Sequence, residues 1–164
     1  MTRYVVMGVS GCGKSSIGAM VAAALGARFI DGDDLHPAAN IAKMSQGIPL
    51  DDADRAPWLA RVGAALAAPD TVVACSALKR SYRDIIRTNA GAEVTFLFLR
   101  GTREVLIERM KARPDHFMPA SLLDSQLATL QPPTQGERFI VQDITAPPQK
   151  ICNGFLRSIK ELET

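Results

Sequence analysis

Three observations predict a parallel β-sheet covered by helices on both faces. Short apolar runs alternate with amphipathic stretches of helical period, glycine or proline stands where the helices should stop, and a glycine-rich turn joins the first run to the first helix. The first strand is Tyr4–Met7, and the helix Lys14–Leu25 after it ends at Gly26. Arg28–Ile30 is the second strand. His36-Pro37 then opens a short helix carrying Asn40 and Lys43. The next helix, Ala53–Ala68, stops before Pro69; Asp52 is its expected N-cap, and Pro57 falls near its first turn, where proline is tolerated. Strand Thr71–Cys75 leads to helix Arg80–Asn89 before Gly91, and strand Val94–Leu99 to helix Glu104–Arg113 before Pro114. A short helix, Ser121–Leu130, lies between proline-rich turns, and Phe139–Val141 is the fifth strand. Residues 36–58 and about 114–136 depart from this rhythm. In α/β enzymes such additions contact substrate or act as lids, so the expected organisation is one domain, 1–164, with two decorations.

Composition sets the outer bounds. The chain has 164 residues, 47% hydrophobic and 22% charged, ordinary values for a globular domain and not for a disordered one. A net charge of +2 gives no footing for nucleic acid as a main partner. No apolar run is long enough for a membrane span, and the N-terminal segment lacks a signal-peptide pattern, so a cytoplasmic protein is expected. Cys12, Cys75 and Cys152 have no metal-ligand spacing and fit reduced thiols. Residues 31–58 hold six acids against Lys43 and Arg55, whereas residues 76–113 hold nine bases against four acids. That asymmetry fits a metal near an anionic substrate, and equally two solvated helix faces.

The segment Gly8-Val9-Ser10-Gly11-Cys12-Gly13-Lys14-Ser15 matches the phosphate-loop pattern G-x-x-x-x-G-K-S/T in its required place, after a strand and at the start of a helix. The glycines let successive N–H groups converge on phosphate oxygens, and the helix N-terminus adds partial positive charge. Lys14 reaches the β- and γ-phosphates, and the Ser15 hydroxyl is a ligand for Mg²⁺. Cys12 sits inside the loop as a small space-filling residue. No N-K-x-D follows for guanine recognition, and the third strand does not end in the aspartate expected of a motor ATPase. A small-molecule kinase is left. At the end of the second strand, Asp31 and Asp33 stand two apart, so in extended chain they share a face. One can organise Mg²⁺ and its waters while the other accepts a proton from an acceptor hydroxyl; a turn with local side-chain hydrogen bonds is the structural alternative.

The blocks MGVSGCGKS, DGDDLHPAANIAKMSQGIPLDDADRAPWL, CSALKRSYRDIIR and HFMPASLLDSQLATL together resemble the bacterial-type gluconokinases of the P-loop kinase superfamily, from Tyr4 to about Leu130. The resemblance implies a P-loop NTPase fold: a three-layer α/β/α sandwich with a five-stranded parallel sheet, a short lid at about 114–136 and a substrate-binding insertion at 36–58. It implies transfer of phosphate from ATP, with Mg²⁺, to the 6-hydroxyl of D-gluconate, and a homodimer. It places Gly8, Ser10, Gly11, Cys12, Gly13, Lys14, Ser15 and Ser16 around the nucleotide, with Lys14 also catalytic. Asp33 becomes the candidate base and Asp31, with Ser15, the metal side. Lys43, Arg55 and Lys79 or Arg80 are the cations for a carboxylate or the transferring phosphoryl group; arginine's bidentate fork favours Arg55 for the gluconate head. Arg109 and Arg113, one turn apart, are candidate phosphate or adenine clamps, and His116 and His36 complete the substrate set. On their own, Arg109 and Arg113 read nearly as well as arginines on a solvated helix face, and His36 as a structural histidine. The segment Asp143–Pro148 is expected near adenine.

Two competitors remain on the sequence. Another small-metabolite kinase is one, although a shikimate site calls for a Gly-Gly-Gly turn where this chain has Cys75-Ser76-Ala77. A non-catalytic nucleotide-gated module is the other, and intact Lys14, Ser15 and Asp33 argue against it.

Overall fold

The computed structural model describes residues 2–112 and 120–163. In chain order the elements are β1 (Arg3–Met7), α1 (Lys14–Leu25), β2 (Arg28–Asp31), a 3-10 turn (Gly32–Leu35), α2 (Ala38–Ser45), α3 (Asp52–Ala67), β3 (Thr71–Ala74) and α4 (Arg80–Ala90). After them come β4 (Thr95–Arg100), α5 (Arg103–Lys111), α6 (Ala120–Thr129), β5 (Phe139–Asp143) and α7 (Pro148–Glu163). The five strands form one all-parallel sheet in the order β2-β3-β1-β4-β5. The chain leaves β1 for one edge, fills in β3 beside it, and builds the other half with β4 and β5. Ligands in open sheets bind at the carboxyl ends of the strands where the winding reverses, here beside β1.

Alternation along the strands divides the core into two layers. Tyr4 and Val6 of β1 and Leu97 and Leu99 of β4 pack with Ile17 and Val21 of α1 and Phe155 of α7. Val5, Met7, Phe96 and Phe98 point the other way, onto Leu59 and Val62 of α3 and Ile86 of α4. Both faces are therefore apolar, as a sheet with crossover helices on each side requires. Gly63 lets α3 and α4 approach closely, because a Cβ there would stand 2.6 Å from the Ile86 carbonyl.

Every expected strand and helix forms within two residues of its expected ends, and α1 has the expected bounds. The cap of α3 differs. Asp51, not Asp52, is the N-cap: its side chain accepts from the Asp54 N–H at 2.7 Å, and Asp54 accepts from the Asp51 N–H at 3.1 Å. This reciprocal box satisfies two orphan donors and leaves Asp52 for other partners.

A buried ion pair fastens the loop after β3. Arg83 and Glu137 have side chains 0% and 1% exposed and meet at 2.7 Å. Arg83 also donates to the carbonyls of Ala77 at 2.8 Å and Gln131 at 2.9 Å, while Glu137 accepts from the Thr134 N–H and from Arg87. Burial alone pushes the Glu137 carboxyl up, but the hydrogen bonds from Arg83 and Thr134 more than reverse it, bringing it from an ordinary 4.5 to about 2. A depressed carboxyl contributes stability that is complete above pH 4.5 and lost as pH falls toward 2. Glu137→Gln, which strands the Arg83 charge, should cost about 3–5 kcal/mol in urea unfolding at pH 7. It should also flatten the loss of stability between those two pH values, measured as the urea midpoint at successive pH.

Candidate active site

The phosphate loop connects β1 to α1. Gly11 and Gly13 have φ of 85° and 91°, a region that L side chains avoid, and Gly13 caps α1 without any side-chain acceptor. The N-terminal N–H groups of α1 are thus left without a side-chain cap, as an anion site requires. Lys14 Nζ donates to the Val9 carbonyl at 3.2 Å. The Gly8 N–H donates to the Ser76 carbonyl at 3.3 Å, joining the loop to the end of β3.

Beside it, β2 ends at Asp31. The Ser15 hydroxyl donates to Asp31 Oδ2 at 2.9 Å, and the Asp33 N–H donates to Asp31 Oδ1 at 3.0 Å. The expected shared strand face for Asp31 and Asp33 is not found, because Asp31 caps the 3-10 turn that carries Asp33. The local turn and the site coexist. Gly32 is required by close approach, since a Cβ would lie 2.4 Å from the Ala74 carbonyl.

Loop, turn and insertion enclose a cavity of about 430 Å³. Ser10, Gly11, Gly13, Lys14, Ser15, Ser16, Asp31, Asp33, His36 and Arg55 line it. Gly8 and Cys12 do not; Cys12 is buried, and its Sγ would stand 2.8 Å from a Cβ at position 8. Arg55 Nη1 donates to Tyr82 Oη at 3.3 Å, and Tyr82 Oη donates to Asp52 Oδ1 at 2.5 Å. The other expected cations are outside the lining. Lys43 is bound to both Asp54 oxygens at 2.8 and 2.9 Å, and Lys79 to Asp52 at 3.3 Å. Arg80 meets Gln131 through its main-chain N–H. Arg109 donates to the carbonyls of Ile144 and Ala146, within the segment expected near adenine. Arg113 and His116 lie outside the described residues.

Sequence reasoning missed two side chains. Gln126 of α6 bonds Ser10 twice, and nothing in the sequence marks it among the polar residues of that helix. Trp58 is buried yet lines the cavity, where its Nε1 donates to the Gly32 carbonyl at 2.8 Å. His36 stacks on it with ring centroids 4.2 Å apart. Asn40 Nδ2 donates to the Asp54 carbonyl and stands 3.2 Å from His36 Nδ1; a donor at that position assigns the ring proton to Nε2. Burial lowers the His36 pKa, Asp33 opposes this, and Arg55 adds to the lowering. The thiol of Cys75, which lines the cavity, is pushed by burial up to about 12, so it is inert as a nucleophile.

A phosphate loop and two aspartates lining one cavity at the end of a five-stranded parallel sheet are the arrangement of a phosphate-loop small-molecule kinase. Residues 10–160 match the family model for shikimate kinase. The thermosensitive gluconokinase of Escherichia coli (strain K12) is 51% identical over 144 residues, which cover 85% of this chain and 76% of that protein. The crystal structure of a gluconokinase from Sinorhizobium meliloti 1021 superposes with a TM-score of 0.91 at 51% identity, covering 98% of this chain and 93% of that one. Shikimate kinase from Aquifex aeolicus vf5 shares the fold, with a TM-score of 0.65 at 14% identity, 99% of this chain and 98% of that one. The chain belongs to the gluconokinases, within the wider shikimate kinase family.

Trp58 is the chain's single tryptophan and His36 stacks on it, so indole fluorescence reports on the protonation of that imidazole. Protonated imidazole quenches indole, and the pH titration of Trp58 fluorescence should have its midpoint below 6.5, the ordinary histidine value. A midpoint above 6.5 would contradict the burial argument.

Proposed function

We propose that this enzyme transfers the terminal phosphoryl group of ATP to the 6-hydroxyl of D-gluconate, giving 6-phospho-D-gluconate and ADP in sugar-acid catabolism. The observation that carries this reading is one cavity that gathers the phosphate loop, Asp33 and Arg55, in a chain whose relatives are gluconokinases.

The roles follow from the donor sets. The loop amides and Lys14 hold the triphosphate. Ser15 and Asp31, a hydroxyl and a carboxylate already 2.9 Å apart, supply the hard oxygen donors that suit Mg²⁺. Among the described residues no group of three or more histidine, cysteine, aspartate or glutamate side chains could hold a metal, which fits an ion that takes few protein ligands and several phosphate oxygens and waters. When bound, Mg²⁺ supplies charge neutralisation on the phosphates. Asp33 accepts the hydroxyl proton as the new O–P bond forms and the bond to the ADP oxygen breaks. Lys14 balances the charge that develops on the phosphates. Arg55, held by Tyr82 near Asp52, meets the gluconate carboxylate.

The reading also keeps 36–58 as the substrate-binding insertion and 114–136 as the lid of one domain, with Arg109 fixing the segment beside adenine. Gluconate as acceptor, action in the cytoplasm and pairing into a homodimer rest on the likeness to gluconokinases. No helix among the described residues is long and apolar enough to cross a membrane.

ADP release at fixed Mg-ATP, compared across D-gluconate, shikimate, AMP, glucose and no acceptor, tests the activity. Stimulation by gluconate alone is expected, and stimulation by another acceptor would replace the substrate. Asp33→Asn should lower kcat about 10²–10⁴-fold with ATP binding retained. Arg55→Ala should raise KM for gluconate roughly 10- to 100-fold while KM for ATP stays within about twofold. An unchanged gluconate KM would remove Arg55 from the carboxylate site.

A further inference from the structure

Gln126 spends both ends of its carboxamide on one residue of the phosphate loop. The Ser10 N–H donates to Gln126 Oε1 at 2.7 Å, and Gln126 Nε2 donates to Ser10 Oγ at 3.0 Å. The helix that carries it is already anchored elsewhere: Leu123 is fully buried, and Asp124 pairs with Arg103 at 2.6 Å. Attachment of α6 therefore does not need a polar contact at position 126. Yet Gln126 lines the same cavity as Lys14, Asp31 and Asp33.

The end of the loop it occupies can be identified. A phosphate-loop lysine contacts the β- and γ-phosphates, and here Lys14 Nζ lies against the carbonyl of Val9, the neighbour of Ser10. The two hydrogen bonds from Gln126 thus fall at the terminal-phosphate end. An amide suits that place because it is neutral. A glutamate could accept from both the Ser10 N–H and the Ser10 hydroxyl, which rotates to suit, but would set a negative charge beside an anion.

We propose that Gln126 is a positioning residue for the terminal phosphate, a neutral amide that docks α6 on the phosphate loop at its Lys14 end and couples the placement of α6 to occupancy of the γ-phosphate position. The inference rests on the reading that the loop binds a nucleoside triphosphate, and it is independent of the acceptor.

The test is calorimetric titration of wild type, Gln126→Glu and Gln126→Ala with Mg-ATP and Mg-ADP, without acceptor and at two salt concentrations. Wild-type binding of both nucleotides tests the nucleotide reading separately. Gln126→Glu can keep both bonds to Ser10 while adding a charge, so it reports whether position 126 stands beside the terminal phosphate, whereas Gln126→Ala removes the bonds without adding charge and reports whether docking itself favours Mg-ATP over Mg-ADP. The proposal expects Kd for Mg-ATP to rise at least about tenfold, with at most about a threefold rise for Mg-ADP and a smaller difference at high salt. Gln126→Ala should weaken ATP by about three- to tenfold. Equal losses for the two nucleotides in Gln126→Glu, or none, overturn it. Hydrogen exchange on the wild type gives a second reading that does not depend on any variant folding. The α6 amides should be better protected with a non-hydrolysable ATP analogue than with ADP, and equal protection overturns the proposal.

Discussion

The β3 side of the cavity depends on one buried ion pair that lies outside its lining. The loop from Cys75 to Lys79 forms part of the cavity wall through Cys75 and Ser76, yet it has no regular structure, and Ala77 within it holds a φ of 47°. A non-glycine residue stays in that region only when its surroundings dictate it. Arg83 does so by donating to the Ala77 carbonyl, and Glu137 holds the guanidinium in place inside the protein. The same guanidinium reaches the Gln131 carbonyl, and the Gln131 N–H donates to the Leu78 carbonyl at 2.8 Å, so the chain between α6 and β5 is fastened to the same loop. Desolvating two charges is expensive, and only a pair with nearly every lone pair and proton engaged offsets it. Arg83 meets that condition with bonds to a carboxylate and to backbone carbonyls at once. What the pair secures is geometry more than net stability.

Charge in the cavity is sorted by partnership, not by count. Lys43 and Lys79 lie near the site, but each is paired with a carboxylate of α3. Those hydrogen bonds raise the pKa of both lysines; Lys43 lowers that of Asp54, and the hydrogen bond from Tyr82, followed by that from Lys79, lowers that of Asp52. Lys14 and Arg55 are the cations that line the cavity among the described residues, and Asp31 and Asp33 are the acids.

Legibility in the sequence followed the range of the physics. Elements set by local signals were readable: α1 is bounded by Gly13 and Gly26, both in the left-handed region, and β1 and β4 are short apolar runs, although which face each side chain takes is not marked in them. The phosphate loop was readable because its chemistry lies within eight consecutive residues. Ambiguity entered where neighbours compete. Asp51 and Asp52 are chemically identical N-cap candidates, and only the reciprocal bond with Asp54 distinguishes them. Asp33 left the strand because Asp31 captured its N–H. Contacts between distant segments were not legible at all. Gln126 and Ser10 are separated by 116 positions, and the partners that remove Lys43 and Lys79 from the lining follow from how α2, α3 and α4 pack.

The division of the cavity explains how one fold can serve different acceptors. The donor side is built on the sheet, by the loop after β1 and the end of β2. The proposed acceptor wall is held by its own network: the Asp51–Asp54 box, Lys43 on Asp54, and Asn40 on the Asp54 carbonyl. It is tied to the donor side at few points, chiefly Trp58 on the Gly32 carbonyl and Arg61 on the Leu35 carbonyl. Residues between those ties can change without altering the phosphate loop or the strand order. A 14% identical shikimate kinase then retains the fold, while a relative at 51% identity carries the gluconokinase name. On this scaffold the phosphate loop and the end of β2 are fixed by the sheet, and the proposed acceptor wall by hydrogen bonds within residues 36–58.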